Sequence, residues 1–511
     1  MTLVEGSAFC ISDHGGDIAP SAAHGLFFRD TRFLSRFGLL VNGAVPEPLA
    51  AEGTNPFSAT FVLRAAPSGS AADSSLLVFR HRYVGRGMRE DIVVFNHGEE
   101  SAYVELDLIL DADFADLFHV KEGRADTGEN IGAEFSRSEM TFRYGKGTLH
   151  RGARITFGDP ATRGTVKEAH YEIVVPARGS WSTCIQVTPV IEGQEIEPRY
   201  LCGQPIAQAT PEQRMEKWRR DVPAVQTDFE VLKAVVDRSA EDLGALRIFD
   251  PDFPERTVVA AGAPWFMTLF GRDSLLTAWM ALVVDPDLAL GVLQTLARFQ
   301  GTKEDASYDE EPGKILHEMR FGDAPSLSLG GGRVYYGSVD STPLFVMLLG
   351  ELRRWGLATE LVDSLLPHAD RAMAWIEEYG DRDGDGYIEY LTQAEKGPRH
   401  QGWKDSDNAI VYEDGRQVEP PLAVCEIQGY YFASLQFMAV LSVVMGEREN
   451  ALSLWSQAKE LKERFNRDFW MEEEGFVAQG LDSEKRQIKS LTSNAGQCLT
   501  TGIVSDEHLP R

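Results

Sequence analysis

Apolar and polar residues alternate along much of the first two hundred positions of the chain. In the run YVELDLILD, Val104, Leu106, Leu108 and Leu110 fall on one side and Glu105 and Asp107 on the other, with Ile109 the one break. A period of two gives a strand with a single apolar face. REDIVVFNH, HYEIVVPA and WSTCIQVTPVI repeat the pattern, separated by turns rich in Gly, Pro, Asn and charge. Short strands at regular spacing, with few helical stretches between them, predict a β-sandwich over residues 1–205.

Near Glu212 the period lengthens. EQRMEKWRRDVPAV predicts a linker helix within 206–228, and helical spacing then recurs at 229–246, 273–284, 286–299, 341–355, 358–379 and 421–445. It is clearest at 449–469, where Ala451, Leu454, Trp455, Ala458, Leu461 and Phe465 return at steps of three and four. Long loops rich in Gly, Asp and aromatics join these helices, among them EEPGKILHEMRFGDAPSLSLGGGRVYYG. Loops of that length in a compact domain usually carry function. Paired helices with elaborate loops at one end predict an α/α toroid over 229–511, with its site on the loop end.

Acidic residues outnumber basic ones by 78 to 50, for a formal charge of −28. Nucleic acid and anionic membranes reward clustered Lys and Arg, so this balance points away from both. It suits a neutral ligand such as a sugar. The five cysteines, Cys10, Cys184, Cys202, Cys425 and Cys498, form no CxxC pair or Cys/His cluster, so reduced buried thiols are expected, with neither a zinc site nor a disulfide framework. The N-terminus has no basic region leading into an apolar core, and no unbroken apolar stretch approaches the roughly 20 residues of a membrane span. The expectation is a cytoplasmic protein.

Four loops combine an aromatic with Arg, Asp or Glu. In APWFMTLFGRDS, Trp265 can stack on a pyranose face while Arg272 and Asp273 offer donors and acceptors to its hydroxyls; an Asp N-cap beside a surface Arg is the plain alternative. GKILHE offers His317 and Glu318 as sugar ligands or as a local ion pair. RVYYGSVDST presents Tyr335, Tyr336 and Asp340 before a helix that Asp340 could equally cap. In RHQGWKDSDNAI, Asp405 follows Trp403 and Lys404. A glycosidase needs a protonated carboxylic acid; an indole would favour that form by desolvation and a lysine would oppose it. Finally, Asp381, Asp383 and Asp385 in DRDGDGYIEY have the spacing of the first calcium ligands of an EF-hand loop, but its twelfth position is Thr392 rather than Glu. A Gly-Asp turn is favoured over a calcium site there, and no other cofactor is indicated.

In their order along the chain these loops resemble the six-hairpin glycosidases, most closely bacterial glycogen debranching enzymes of the amylo-α-1,6-glucosidase type. GLFFRDTRFLSRFGLLVNG and DADFADLFHVKEG are similar to the family's N-terminal domain, and PWFMTLFGRDS to its sugar-clasping loop, so Trp265, Arg272 and Asp273 inherit glucose binding. GKILHE and VDST resemble further subsite loops, which carry His317, Glu318, Tyr336 and Asp340. GWKDS resembles the stretch bearing the general acid, which gives that role to Asp405 with Trp403 and Lys404 beside it, and LAVCEIQGYY resembles a helix start whose glutamate lines the pocket, here Glu426. The resemblance implies an N-terminal β-sandwich, an (α/α)6 toroid and inverting hydrolysis of α-glucans or α-glucosides. Against the family pattern, the toroid is incomplete at its C-terminus and no residue matches the general base. A catalytically impaired carbohydrate-binding protein is therefore the alternative. Another sugar specificity on the same fold ranks behind both, and a calcium sensor last.

Overall fold

The computed structural model describes the chain except for residues 68–72, 124–130, 147–148, 250–252, 254, 321–333, 358, 396 and 510–511. Much of the long loop after Glu318 thus lies outside the described residues. The described chain divides into two compact units, one of Met1–Ile248 with Ala260–Thr268, the other of Phe249–Val259, Leu269–Arg320 and Pro325–Arg511.

The first unit is the expected β-sandwich. β1 (Thr2–Glu5), β2 (Ala8–Ile11), β3 (Gly25–Phe28) and β4 (Thr31–Leu34) form an antiparallel sheet in chain order. β5 (Arg36–Val41), β6 (Glu47–Asn55), β7 (Ser58–Arg64), β8 (Leu76–Val84), β9 (Met88–Asn96) and β10 (Ala102–Asp111) follow. After the short helix α1 (Leu117–Lys121) come β11 (Ile131–Ser136), β12 (Glu139–Lys146), β13 (Leu149–Phe157), β14 (Arg163–Thr165), β15 (Glu168–Val175), β16 (Ser180–Ile191) and β17 (Gln194–Glu195). One sheet runs β14-β15-β10-β5; the larger runs β11-β12-β13-β16-β9-β8-β7-β6, with β17 added to β16. Val104, Leu106, Leu108 and Leu110 are fully buried and share a core with Val78, Ile92, Val94, Ile185 and Val187 of the larger sheet. The period-two pattern was reporting this face. Inside it, the guanidinium groups of Arg80 and Arg82 both close on Glu90, with all three side chains fully buried. Two helices complete the unit, α2 (Thr210–Asp221) and α3 (Glu230–Leu246).

The cysteine expectation needs correcting here. Cys184 on β16 and Cys202 are joined by a disulfide, their Cα atoms 5.9 Å apart across a separation of 18 residues. The rest of β16 and the short β17 lie between them, so the pairing is made by tertiary structure that no local motif announces. Cys10, Cys425 and Cys498 are free and buried, as expected.

The second unit is helical: α4 (Gly271–Met280), α5 (Pro286–Arg298), α6 (Ser341–Arg354), α7 (Thr359–Asp363), α8 (Leu366–Trp375), α9 (Cys425–Met445), α10 (Arg448–Asp468) and α11 (Asn494–Thr501). α5 starts where Asp285 accepts from the Asp287 N–H and Pro286 takes the first turn, where its missing N–H costs nothing. The single helix expected over 358–379 is broken: Pro367 cannot continue α7 and instead opens α8, which ends in a π-turn at Ile376–Gly380. The helix expected from 421 begins at Cys425, because Ala423–Val424 is extended and pairs with Gly480–Leu481. Gly446 then stops α9 in the left-handed region at φ 85°. By length and composition alone α9 could cross a membrane, but 67% of its apolar window is buried in the unit, where it packs against α6, α10 and α11.

Candidate active site

The N-termini of α4, α6 and α9 and the loop at 400–405 bring most of the candidate residues together. α4 enters at Gly271, where a Cβ would come within 2.1 Å of the Leu316 carbonyl oxygen and 2.6 Å of Ser341 Oγ. Only glycine lets this helix start touch the neighbouring loop and the start of α6. The close entry carries the next residue, Arg272, into the interior, where it is 6% exposed. It is not the surface arginine of the plain reading, and the N-cap is Phe270 rather than Asp273.

Arg272 is the hub. Nη1 donates to Asp340 Oδ2 at 3.0 Å and to the Gly402 carbonyl at 2.5 Å, while Nη2 donates to Asp405 Oδ2 at 2.8 Å. Asp340 precedes α6 but makes no capping bond; its other oxygen accepts from Ser338 Oγ. Burial alone would lower the Arg272 pKa, yet Asp340, Asp273 and Asp405 hold it above its ordinary range. Asp340 is fully buried, whereas the Asp405 side chain is 42% exposed, so one carboxylate anchors the fork and the other meets solvent. Asp273, in the first turn of α4, keeps 38% of its side chain exposed, and desolvation lifts its carboxyl above the ordinary range against Arg272 and His317.

Glu426 sits beneath this loop rather than on its surface. It is fully buried, and its Oε1 accepts from the Trp403 N–H at 3.1 Å. A Cβ on Gly402 would lie 2.9 Å from that oxygen, so glycine is what lets the turn settle onto it. The Gly402–Trp403 peptide is thus held from both sides, its carbonyl by Arg272 and its N–H by Glu426. Burial raises the Glu426 pKa against the nearby Asn494 amide. A carboxyl that binds its proton more tightly when folded stabilises the fold at low pH, and that contribution is lost as pH rises from its unfolded value through the folded one. Glu426→Gln, which keeps the acceptor without the charge, should therefore melt above the parent at pH 7 and level with it near pH 4. Glu426→Ala should melt lower at both, since the orphaned Trp403 N–H costs about 1–3 kcal/mol. A thermal series at the two pH values checks the ordering.

The remaining candidates are placed as follows. His317 is buried edge-on between the rings of Phe270 and Tyr335, and among the described residues its Nδ1 makes no hydrogen bond. Glu318 is buried and paired with Arg320 at 2.8 Å. Tyr336 turns its hydroxyl to the Phe299 carbonyl. Trp403 and Lys404 are half-buried beside Asp405. Trp265 belongs to the first unit, where it packs on the cluster of Val4, Phe9 and Phe27. One organising residue went unread in the sequence. Asp309 is buried and accepts from Tyr335 Oη and from the backbone N–H groups of Gln393 and Ala394. Nothing in YDEEPGK distinguishes it from a solvated acid.

Asp381, Asp383 and Asp385 do converge. Asp381 accepts from the Gly384 and Gly386 N–H groups, the pattern of a tight turn. The Lys485 ammonium reaches Asp383 at 2.9 Å and Asp385 at 2.8 Å and also contacts Glu389, so a cation from the chain itself sits among the carboxylates. Thr392, the position of the missing glutamate, bonds to the Pro398 carbonyl. Lys485→Met should cost about 1 kcal/mol, kept small by partial exposure. Millimolar calcium should raise the melting temperature of that variant and leave the parent unmoved; a parent that responds equally would rule out this role for Lys485.

Residues 3–186 match the family model described as the N-terminal domain of (some) glycogen debranching enzymes. A search of the curated proteins finds no match. Among solved structures, a bacterial glucoamylase complexed with acarbose is similar at TM-score 0.54 and 11% identity, over 94% of this chain and 69% of that one. A human-microbiome protein assigned as a kojibiose phosphorylase is similar at TM-score 0.50 and 9% identity, again over 94% and 69%. The fold is an N-terminal β-sandwich, matched over residues 3–186 by the debranching-enzyme N-terminal model, followed by a helical region, and it is similar to the fold of both structures.

Proposed function

We propose that the chain is a glycoside hydrolase acting on α-glucans or α-glucosides, of the amylo-α-1,6-glucosidase type, with Asp405 as general acid. The observation that carries this reading is the Arg272 fork, which fixes a fully buried Asp340 and a half-exposed Asp405 on one guanidinium beside Asp273. Asp405 Oδ2 is taken by Arg272, which leaves Oδ1 to deliver a proton to the glycosidic oxygen. Arg272 and Asp273 bind the terminal glucose, and Trp403 and Lys404 flank it. Inversion also requires a carboxylate roughly 6.5–9.5 Å from the acid to activate water, and that role is left unassigned. The debranching-type N-terminal domain and the glucoamylase-like fold agree with a glucan substrate. The test is glucose release from maltotriose and from an oligosaccharide with a single α-1,6-linked glucose branch, with the product anomer read by NMR. Release of β-glucose supports an inverting hydrolase; no release from either sugar counts against it.

One observation favours the second reading, a saccharide-binding protein without turnover. Asp340 and Glu426 are both fully buried, so Asp273, here given to glucose binding, is the other solvent-facing carboxylate at the fork beside Asp405. Calorimetry with maltotriose that gives heat where the release assay gives no glucose would select that reading.

A further inference from the structure

On the smaller sheet of the first unit, β10 and β15 send alternate residues to opposite faces. Leu106 and Leu108 of β10 and Ala169 and Tyr171 of β15 enter the core. Asp107, Glu168, His170 and Glu172 are therefore left on the other face, where register sets Asp107 directly across from His170. One ligand atom from each of Asp107, Glu168 and His170 lies within 4.8 Å of the other two. Asp107 is hydrogen-bonded to His170 Nδ1. Glu168 is exposed and Asp107 partly so, which puts both carboxylates within reach of an ion from solvent. Among the described residues neither is paired with a lysine or an arginine: Lys167 is taken by Asp111 at 2.7 Å, and Arg163 by Glu172. The cluster thus differs from the acid triplet at 381–385, where Lys485 already stands among the carboxylates.

The histidine ring points to what belongs there. His170 is 6% exposed, and its Nε2 is buried with no hydrogen bond among the described residues, 3.5 Å from Glu172 Oε1. With the ring proton on Nδ1, toward Asp107, Nε2 is an acceptor facing an acceptor. A divalent ion at Nδ1 removes that conflict. It takes the Nδ1 lone pair, so the ring proton moves to Nε2 and is aimed at Glu172. A carboxylate on the far nitrogen is the usual outer partner of a metal-bound histidine. The donors also narrow the ion, in a site built without cysteine. One imidazole and two carboxylates suit zinc or a similar transition ion, whereas calcium takes about 6–8 oxygens and magnesium gives up its waters reluctantly. We propose that Asp107, Glu168 and His170 Nδ1 bind a zinc-like divalent ion on this face, with water completing its coordination and Glu172 orienting the ring. The ion replaces the hydrogen bond between His170 and Asp107 and ties β10 to β15. The site stands independently of the reaction assigned to Asp405.

Calorimetric titration of the tag-free full chain with zinc chloride tests it. The expected result is one equivalent bound at a site that His170→Asn abolishes. Glu168→Gln, an exposed change that spares the fold, should weaken it by at least what loss of an outer partner costs, roughly 10–100-fold. It decides the matter even if His170→Asn does not fold. Cobalt chloride should give the visible absorption of a four-coordinate ion, lost in the same variants. Binding that is unchanged in Glu168→Gln would overturn the site. So would no binding by the parent, which would leave His170 as a bridge between Asp107 and Glu172. Equal binding of magnesium would mark a plain carboxylate cluster and overturn it too.

Discussion

Replacing Arg272 by methionine should destabilise the chain by about 3–5 kcal/mol, the cost of breaking a buried ion pair from one side. The reason is Asp340. With Arg272 gone, a fully buried carboxylate keeps one bond from Ser338 and loses its counter-charge. The Gly402 carbonyl loses its donor in the same stroke, which frees one side of the peptide that leads to Asp405. Arg272→Lys should fall between, because one ammonium cannot reproduce a fork that reaches Asp340, Gly402 and Asp405 at once. Adding Asp340→Asn to the methionine variant should recover part of the loss, since the uncompensated charge disappears. Equilibrium unfolding in denaturant measures all four proteins. A loss below about 1 kcal/mol for Arg272→Met would show that Asp340 does not depend on it.

Asp405→Asn should lower glucose release by roughly 10²–10⁴-fold, the usual worth of general acid catalysis, while maltotriose affinity stays within a few-fold. The amide keeps an oxygen for Arg272 Nη2, so the loop stays where it is. What it cannot do is give up a proton to the leaving oxygen. A substrate with a phenolic leaving group, which departs without protonation, should be spared most of the loss. Equal loss on both substrates would assign Asp405 to binding or positioning, and unchanged turnover would remove it from the chemistry.

Much of this architecture was legible because periodicity reports burial. Leu106 and Leu108 announced the sandwich face, and the helix expected at 286–299 is α5 almost to the residue, with Asp285 and Pro286 marking its start. The misses have a common cause in partners far away in sequence. Cys202 reads as a lone thiol until the fold returns it to Cys184. The acid triplet at 381–385, read as a Gly-Asp turn in preference to a calcium loop, gives no sign of Lys485, which delivers its ammonium from a hundred residues on. Glu426 was read from its motif as a pocket-lining residue; the fold buries it under Gly402, where it orients the loop. Ion pairing at Arg272 is likewise invisible in GRDS, because Asp340 and Asp405 come from two other segments.

The buried trio in the sandwich bears on how the strands find their places. Alternating apolar residues distinguish correct pairing from a slip of one position, which turns every side chain over. They cannot reject a slip of two, which restores the same faces. In the native pairing Arg82 stands opposite Glu90 and Arg80 opposite Ile92, so Glu90 reaches both guanidinium groups. Sliding β8 along β9 until Val84 faced Glu90 would carry Arg80 out of that carboxylate's reach and strand a cation in a dry interior. The trio makes that misaligned hairpin costly even though its greasy faces match, so burial of charge rejects a slip in this direction that the apolar pattern alone would accept.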